Sequence, residues 1–392
     1  MNVMELDNTY VASTYKRFPV EIVSGKGSKL VDANGKTYVD MGTGIGVNSF
    51  GIGDDAWTKA VTEQLGKVQH VSNLYYMEPC AKLAKLLCEK SGMKKVFFAN
   101  SGAEANECAI KAARKYSATK KGEDCFTIIT LVNSFHGRTL TTLAATGQEK
   151  FHELYQPLTP GFVHVEANNV EALKACVAEN KIAGIMMECV QGEGGVNPLT
   201  QEFMTAAEQL CKENDIPLMI DEVQTGNGRS GKLYAYQTFG VNPDIVSTAK
   251  GLGGGLPIGA CLLGEKLQNV FGYGDHGSTY GGNPVCCAGA VSVIERMTDE
   301  FLGSVQKKSA YIFDTLSGKP GIESVTGLGL MVGIQTKAPA GDVVKACMDK
   351  GVLCLTAKTK VRLLPALNIP MEDLKYAIET IAAVAEELGG NA

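Results

Sequence analysis

The sequence predicts an α/β protein with a large, mostly parallel sheet and a smaller α+β domain towards its C-terminal end. Short apolar runs alternate with helical stretches, and the runs are apolar throughout, as expected of strands covered by helices on both faces. A chain of 392 residues also exceeds the ~250–300 residues at which one hydrophobic core usually stops growing. We therefore expect an N-terminal segment at 1–48 that joins the small domain, a large α/β domain at 49–285 and a small α+β domain at 286–392.

Alternating strand and helix candidates predict the large domain. The candidate strands are 95–99, 126–132, 182–188, 217–221 and 245–248. Between them lie strong helix candidates at 104–120 and 201–214. Before them, the turn signals GKGS and DANGK predict hairpin strands. After them come a helix, the segments GIESVTGLGLMVGI, GVLCLT and VRLLP, and a final helix, which together indicate the small domain.

Composition excludes several classes of protein. The formal net charge of −5 and the sequence pI near 5.7 argue against nucleic-acid or anionic-membrane partners, which need a basic face. No apolar run approaches the ~18–20 residues of a membrane helix, and the first residues do not resemble a signal peptide. The 12 cysteines are scattered without a C-x-x-C motif, and the five histidines do not group with them. We expect no metal site and a reducing, cytoplasmic location.

A first functional segment is NSGAEAN, directly after the apolar run KVFFA. Ser101 suits a helix N-cap, and Gly102 lets another group approach the backbone closely. A helix N-terminus with free N–H groups and a hydroxyl can bind phosphate. The alternative is an ordinary capped helix.

Two further segments end apolar runs with charged side chains. Asp221 ends PLMIDE, and an ionised Asp is the partner that a protonated pyridine nitrogen needs. Lys250 follows IVSTA and precedes a glycine-rich turn, which is unusual for a solvated lysine. Because burial lowers the pKa of a lysine and makes its amine nucleophilic, Lys250 suits Schiff-base chemistry. Strand ends are also where open α/β sheets bind ligands.

A nucleotide-binding protein is the rival interpretation. The segment GNGRSGKL at 226–233 fits G-x-x-x-x-G-K, and its first six residues fit G-x-G-x-x-G. However, Leu233 stands where a P-loop needs Ser or Thr for magnesium. Four residues also separate the strand from the first glycine, where a dinucleotide-binding turn would follow the strand directly.

The motifs NSGAEAN, FHGRT, MECVQGEGGV, LMIDEVQTGNGR, STAKGLGGGLPIGA and GSTYGGNPV occur in this order along the chain. In this they resemble the class III (ω-amino acid) aminotransferases, which have the type I fold of pyridoxal-phosphate (PLP) enzymes. The segments KRFP, HVSNLYY and RLLP further resemble the branch that transfers the ω-amino group of N-acetylornithine to 2-oxoglutarate. GVNSFGIGDDAW departs from relatives that read G-H-x-H-P at this place.

The resemblance implies a role for each matching residue around PLP. Lys250 would carry the cofactor and move protons, and Asp221 would pair with the pyridine nitrogen. The remaining cofactor-binding residues would be Ser101, Gly102 and Ala103 at the phosphate, Phe135, Val223 and Gln224 at the ring, and Thr279 from a partner subunit. A homodimer with shared active sites follows from the role of Thr279.

The resemblance also implies a substrate site. Arg138 and Arg362 would each bind a carboxylate, for which the planar guanidinium is suited, and Ser278 would contact substrate. Glu193 would pair with Arg362 while the ω-amino donor is bound and release it for glutamate. As alternatives, either arginine could be a surface residue or a structural ion pair.

Other outcomes stay open from the sequence. His136 could be a general base, although a positioning or packing role fits the family better. Ornithine, 4-aminobutyrate and N-succinylornithine are alternative donors, because pocket shape decides among them. An aminomutase has the same fold, but Arg362 and Glu193 together suit an exchange between two substrates.

Overall fold

The computed structural model describes residues 1–389, and a seven-stranded sheet lies at its centre. Its strands, in chain order, are β4 (Lys95–Ala99), β5 (Thr127–Leu131), β6 (Phe162–Val165), β7 (Ile182–Met187), β10 (Leu218–Asp221), β11 (Ile245–Thr248) and β12 (Gly259–Leu263). Their spatial order is β4-β12-β11-β10-β7-β5-β6. The strands from β11 through β10, β7 and β5 to β6 each pair in parallel with the next. β12 is antiparallel to both of its neighbours, β11 and β4. Every residue of β7 and β10 is buried, as parallel strands between helix layers require.

Three smaller sheets surround this one. Their strands are β1 (Ile22–Lys26), β2 (Lys29–Asp32), β3 (Thr37–Asp40), β8 (Val190–Gln191), β9 (Asn197–Pro198), β13 (Ile322–Leu328), β14 (Met331–Thr336), β15 (Val352–Leu353), β16 (Leu355–Ala357) and β17 (Lys360–Leu363). The orders are β1-β2-β3-β15, β13-β14-β17-β16 and β8-β9. Because β3 pairs in parallel with β15, the N-terminal hairpin strands are joined to the C-terminal part of the chain.

The helices cover both faces of the central sheet and flank the smaller ones. They are α1 (Val3–Tyr10), α2 (Thr43–Gly46), α3 (Asp55–Leu65), α4 (Glu78–Ser91), α5 (Gly102–Lys121), α6 (Leu140–Ala145), α7 (Val170–Glu179), α8 (Gln201–Glu213), α9 (Tyr236–Phe239), α10 (Pro284–Glu295), α11 (Asp299–Leu316), α12 (Ala340–Asp349) and α13 (Met371–Gly389). The long α5 contacts β4, β7, β11 and β12, and this contact fixes its N-terminal end over the sheet.

The predicted fold class is confirmed, and the predicted strands and helices are correct to within one or two residues at each end. The strands β6 and β12 and the short helix α1 were not predicted. The division into domains at residues 48 and 285 stays a prediction. Within residues 1–389 no helix is long and apolar enough to cross a bilayer. All twelve cysteines are free and ten of them are buried, which fits their expected role as small hydrophobic side chains.

Candidate active site

The strands of the central sheet end at one edge around a cavity of about 490 Å³. Parallel strands bring their carboxyl ends to the same edge, so residues far apart in sequence meet there. The predicted residues that line the cavity are Ser101, Gly102, Ala103, Phe135, Arg138, Asp221, Val223, Gln224 and Lys250. Glu193, Arg362, Ser278 and Thr279 do not line this cavity.

Asp221, the last residue of β10, is almost fully buried and has three hydrogen-bond donors around it. Its Oδ1 accepts from the backbone N–H of Val223 at 2.9 Å. Its Oδ2 lies 2.8 Å from the amide nitrogen of Asn106 and 2.8 Å from Nδ1 of His136. These contacts fix the orientation of the carboxyl group at the edge of the cavity, where a pyridine nitrogen could approach it.

The two side chains on Oδ2 were not assigned to the site from the sequence. Asn106 lies one helical turn after Gly102, on the buried face of α5, and also donates to the carbonyl of His136 at 2.7 Å. An asparagine on the apolar face of a helix was the signal that could have identified it. The contact between His136 and Asp221 fits the positioning role rather than that of a general base. Nε2 of His136 is buried and has no hydrogen-bond partner within the described residues.

Lys250 projects from the turn after β11 with a backbone φ of +46°. A left-handed conformation is uncommon for a residue with a side chain, and such strain is concentrated at functional sites. Asn227 holds this turn, because its side-chain amide donates to the carbonyl of Ala249 at 3.0 Å. Burial, reinforced by the positive charge of Arg362, lowers the pKa of Lys250 below its usual value. A neutral, nucleophilic amine is therefore more accessible than in a solvated lysine.

The N-terminus of α5 opens onto the cavity beside Val223. Ser101 is the N-cap, and its hydroxyl accepts from the backbone N–H of Glu104 at 3.2 Å, as predicted. A Cβ at Gly102 would lie 2.6 Å from Cγ1 of Val223, so only glycine fits between the helix and that side chain. This cradle is the shape that a phosphate and the adjoining planar ring require.

Glu188, directly after β7, is a second carboxyl group of the cavity that the sequence did not identify. Its Oε2 accepts from the backbone N–H of Phe135 at 3.0 Å, and its Oε1 accepts from that of Gly192 at 3.1 Å. Burial raises the pKa of Glu188 to about 7. It connects the loop that carries the predicted ring-stacking Phe135 to the turn that carries Glu193. Glu188 could have been identified from the sequence, because it is a carboxylate that directly follows a fully apolar strand.

Arg362, on β17, lies behind Gln224, a lining residue of the cavity, and forms an ion pair. Its Nη1 lies 2.5 Å from Oε1 of Glu193 and 3.2 Å from Oε1 of Gln224. The Arg362 side chain is only 3% exposed, whereas that of Glu193 is 29% exposed. Burial acts to raise the pKa of Glu193, but Arg362 and Lys250 outweigh it and hold that pKa below its ordinary value. The predicted ion pair between Arg362 and Glu193 is present, and Glu193 is the more exposed of the two side chains.

Arg138 lies at the solvent side of the cavity among aromatic rings. Its guanidinium carbon is 5.5 Å from the ring centroid of Phe135 and 4.1 Å from that of Phe151. These cation–π contacts orient the guanidinium. Within the described residues no carboxylate forms an ion pair with Arg138, so its donors are available to a ligand.

Ser278 and Thr279 lie in a loop between β12 and α10. The Ser278 hydroxyl accepts from the side-chain amide of Asn100 at 3.0 Å, next to the Ser101 turn. The side-chain amide of Asn73 donates to the carbonyls of Ser278 and Gly281. Thr279 and the neighbouring Tyr280 are exposed. Thr279 is thus exposed and does not line the cavity of its own chain.

The rival glycine-rich segment at 226–233 does not form a phosphate-binding loop. The backbone N–H groups of Gly226, Gly228, Arg229 and Gly231 donate to carbonyls of the chain itself. The helix that follows, α9, has only four residues. The Arg229 side chain is buried and donates to the carbonyls of Leu330 and Pro365, and burial lowers its pKa to about 9. This segment therefore connects the central sheet to the C-terminal part of the structure.

Comparison with known proteins gives a single family. The aminotransferase class-III family matches residues 10–385. The acetylornithine aminotransferase of Haemophilus ducreyi is 50% identical over 388 residues, which are 98% of this chain and 99% of that protein. The protein of the same name from Caldanaerobacter subterraneus is 43% identical over 389 residues, 97% of this chain and 98% of that one.

Solved structures agree with this result. The N-acetylornithine aminotransferase of Stenotrophomonas maltophilia superimposes with a TM-score of 0.85 at 32% identity, over 100% of both chains. The ornithine aminotransferase of Toxoplasma gondii gives a TM-score of 0.95 at 29% identity, over 99% of this chain and 95% of that one. Because relatives with different donors share the backbone, the fold alone does not choose the donor.

Proposed function

Because this chain belongs to the class-III aminotransferases, which are PLP-dependent transaminases, we propose that it transfers the ω-amino group of N-acetylornithine to 2-oxoglutarate. The products are N-acetylglutamate semialdehyde and glutamate, and the reaction belongs to arginine biosynthesis. The observation that carries the choice of donor is the 50% identity, over nearly the whole chain, to an acetylornithine aminotransferase.

The residues around the cavity fit PLP. The N-terminus of α5 with Ser101, Gly102 and Ala103 lines the cavity and would hold the phosphate. Phe135 and Val223 would enclose the ring, with Gln224 at its edge and Asp221 at its nitrogen. When bound, PLP supplies an electron sink for the pair left behind when a carbon–hydrogen bond of the substrate breaks.

Lys250 is the residue that we assign to proton transfer. With PLP bound, Nζ of Lys250 would hold the cofactor in the resting enzyme. Once the donor is bound, the free Nζ would take the proton from the carbon that bears the donor amine and would later deliver that proton to the cofactor. The lowered pKa suits this role, because a general base is most effective when its pKa lies near the working pH. The buried site keeps water from competing for that proton.

The Arg362–Glu193 pair would let one site accept two unlike substrates. While the pair is closed, Arg362 is neutralised and the donor enters with its carboxylate on Arg138. When Glu193 turns away, Arg362 can bind the α-carboxylate of 2-oxoglutarate or glutamate bidentately. The greater exposure of Glu193 supports this order, because the acid has space to move and the buried arginine does not.

A donor panel tests the proposal. With 2-oxoglutarate as acceptor and glutamate formation as readout, we expect N-acetylornithine to have the highest kcat/KM. Ornithine, 4-aminobutyrate and N-succinylornithine serve as competitors. If any of these three exceeds N-acetylornithine, the choice of donor is wrong and the aminotransferase assignment stands.

Glu193→Ala is expected to reduce discrimination against glutamate as the first donor by roughly tenfold. The loss of one charge-assisted hydrogen bond that masks Arg362 corresponds to this magnitude. The measurement compares kcat/KM for N-acetylornithine and for glutamate in the wild type and the variant. Glu379→Ala, at an exposed carboxylate of α13, is the matched control. Unchanged selectivity in Glu193→Ala would remove the switch role.

We further propose a homodimer in which Thr279 and its loop reach the partner's cofactor. The exposed position of Thr279 and the exposed Leu74, Tyr75 and Tyr76 of the adjoining segment support a covered surface here. The free, buried cysteines support a reducing, cytoplasmic location.

A further inference from the structure

Three cations lie close to one another near Phe151 and Asn133, and one of them lines the cavity. Arg138 lines it, and Lys150 lies in the loop after α6, with its Nζ 4.8 Å from the ring centroid of Phe151. Arg138 approaches the same ring at 4.1 Å. Lys358, in the turn between β16 and β17, donates to the side-chain oxygen of Asn133. We name the side chains of Arg138, Lys150 and Lys358 the cationic mouth.

The nearby carboxylates do not neutralise these charges. Glu149, next to Lys150 in the chain, has its Oε2 3.8 Å from Nδ1 of His152. Glu193 is paired with Arg362. Within residues 1–389 no ion pair includes any member of the cationic mouth. Burial together with the like charge of Lys150 lowers the pKa of Lys358, which agrees with two cations that face each other without an acid between them.

The fold holds the cationic mouth close to the substrate residues. Lys358 is four residues before Arg362, and β17 connects them. Asn133, which anchors Lys358, is two residues before Phe135 and has a backbone φ of +66°. A Cβ on Gly194 would lie 2.5 Å from the carbonyl oxygen of Asn133, so this loop packs directly on the turn that carries Glu193. The two lysines therefore lie at the rim of the proposed substrate site.

We propose that Lys150 and Lys358, with Arg138, select donors whose α-amine is blocked. This inference rests on the proposed function. In the productive orientation, the ω-amine of the donor points towards Lys250. The α-carbon, at the other end of the donor, then lies at the cationic mouth. The α-carboxylate is attracted there in every such donor. A free α-ammonium is repelled by the three positive charges, whereas an N-acyl amide carries no charge and is tolerated.

Specificity of this kind combines attraction to one substrate with repulsion of its competitor. N-Acetylornithine and ornithine differ at the α-nitrogen by one acetyl group and one positive charge. The α-ammonium of ornithine is repelled by the cations of the rim. Solvent weakens this Coulomb repulsion but does not abolish it. The dianionic 2-oxoglutarate gains from the same cations, so the cationic mouth serves both half-reactions.

The test replaces both lysines by uncharged glutamine in the holoenzyme. For the double variant Lys150→Gln/Lys358→Gln, we expect the ratio of kcat/KM for N-acetylornithine to that for ornithine to fall about five- to tenfold. Lys150→Arg/Lys358→Arg keeps the charges and is expected to keep the ratio. Lys345→Gln/Lys375→Gln, at exposed lysines of α12 and α13, controls for the loss of two surface charges.

A second arm does not depend on the amino donor. At limiting 2-oxoglutarate, kcat/KM of the wild type should fall as ionic strength rises, because exposed charges are screened over about 8–10 Å. The glutamine double variant should show a shallower fall. Salt dependence equal to that of the wild type would overturn the proposal.

The two proposals fail in different ways. A wild-type enzyme that prefers ornithine to N-acetylornithine contradicts the proposed function. A wild type that prefers N-acetylornithine, with the same preference in the glutamine double variant, overturns the cationic mouth alone. Loss of preference in the arginine double variant would show that side-chain shape rather than charge is responsible, and it also overturns the proposal.

Discussion

Lys250→Ala is expected to lower kcat for transamination by roughly 10⁴-fold, because the variant loses its general base and its nucleophile together. The amine lies just after a strand end, in the same cavity as Asp221. The measurement is glutamate formation from N-acetylornithine and 2-oxoglutarate. Borohydride treatment of the wild-type holoenzyme should attach the cofactor to the peptide that contains Lys250, as detected by mass spectrometry.

The control for this experiment is Lys232→Ala, at an exposed lysine in the neighbouring glycine-rich segment. We expect the control to retain activity, since that segment does not reach the cavity through its lysine. A borohydride label on a lysine other than Lys250 would contradict the assignment, as would substantial turnover by Lys250→Ala.

Asp221→Asn is expected to lower kcat/KM by about 10- to 150-fold. A hydrogen bond to a charged group contributes about 1.5–3 kcal/mol, and an amide cannot supply the negative charge that holds a pyridine nitrogen protonated. The side chain keeps its shape, and its single oxygen can still accept the hydrogen bond from the backbone of Val223. Its NH2 group would replace the oxygen that accepts from Asn106, but Asn106 also donates to the carbonyl of His136 and keeps that partner. The measurement pairs kcat/KM with thermal unfolding, because the two quantities should separate in this variant.

Asp221→Ala provides the comparison, since it removes the acceptor as well as the charge. The buried Asn106 and His136 would then lose a partner, and each unsatisfied group costs about 1–3 kcal/mol. We expect this variant to lose stability as well as activity. If Asp221→Asn retained near-wild-type kcat/KM, the carboxylate would have no role at the cofactor nitrogen.

The sequence predicted the elements whose signal is local. β4 and β11 were predicted with their observed bounds, because apolar runs bounded by polar residues identify buried strands. The antiparallel direction of β12 could not be predicted from the sequence, because a short apolar run does not indicate whether the neighbouring strand is parallel or antiparallel. Helix α1 is only eight residues long and has no buried residues, so its apolar residues give too short a pattern to identify it, although Asn2 and Glu5 form a capping box.

The active site was predicted residue by residue through the family motifs, but its internal contacts were not. Asp221 and Lys250 stood out because charged residues at the ends of apolar strands are unusual. Asn106 and Glu188 did not, because their importance lies in contacts with residues 30 to 115 positions away. Such contacts depend on strand order, which the spacing of motifs does not encode. The Glu193–Arg362 pair was predicted from the family resemblance alone.

The pairing of β3 with β15 has a consequence for synthesis of the chain on the ribosome. Val39 pairs with Val352, and the Ser28 hydroxyl donates to Asp373 at 2.5 Å, across 345 positions. After these first strands leave the ribosome, more than 300 further residues must be translated before their partners are available. At a translation rate of about 5–20 residues per second, the edge of these strands stays unpaired for tens of seconds. During that time an exposed strand edge is open to other nascent chains, which makes this segment a natural client for chaperones.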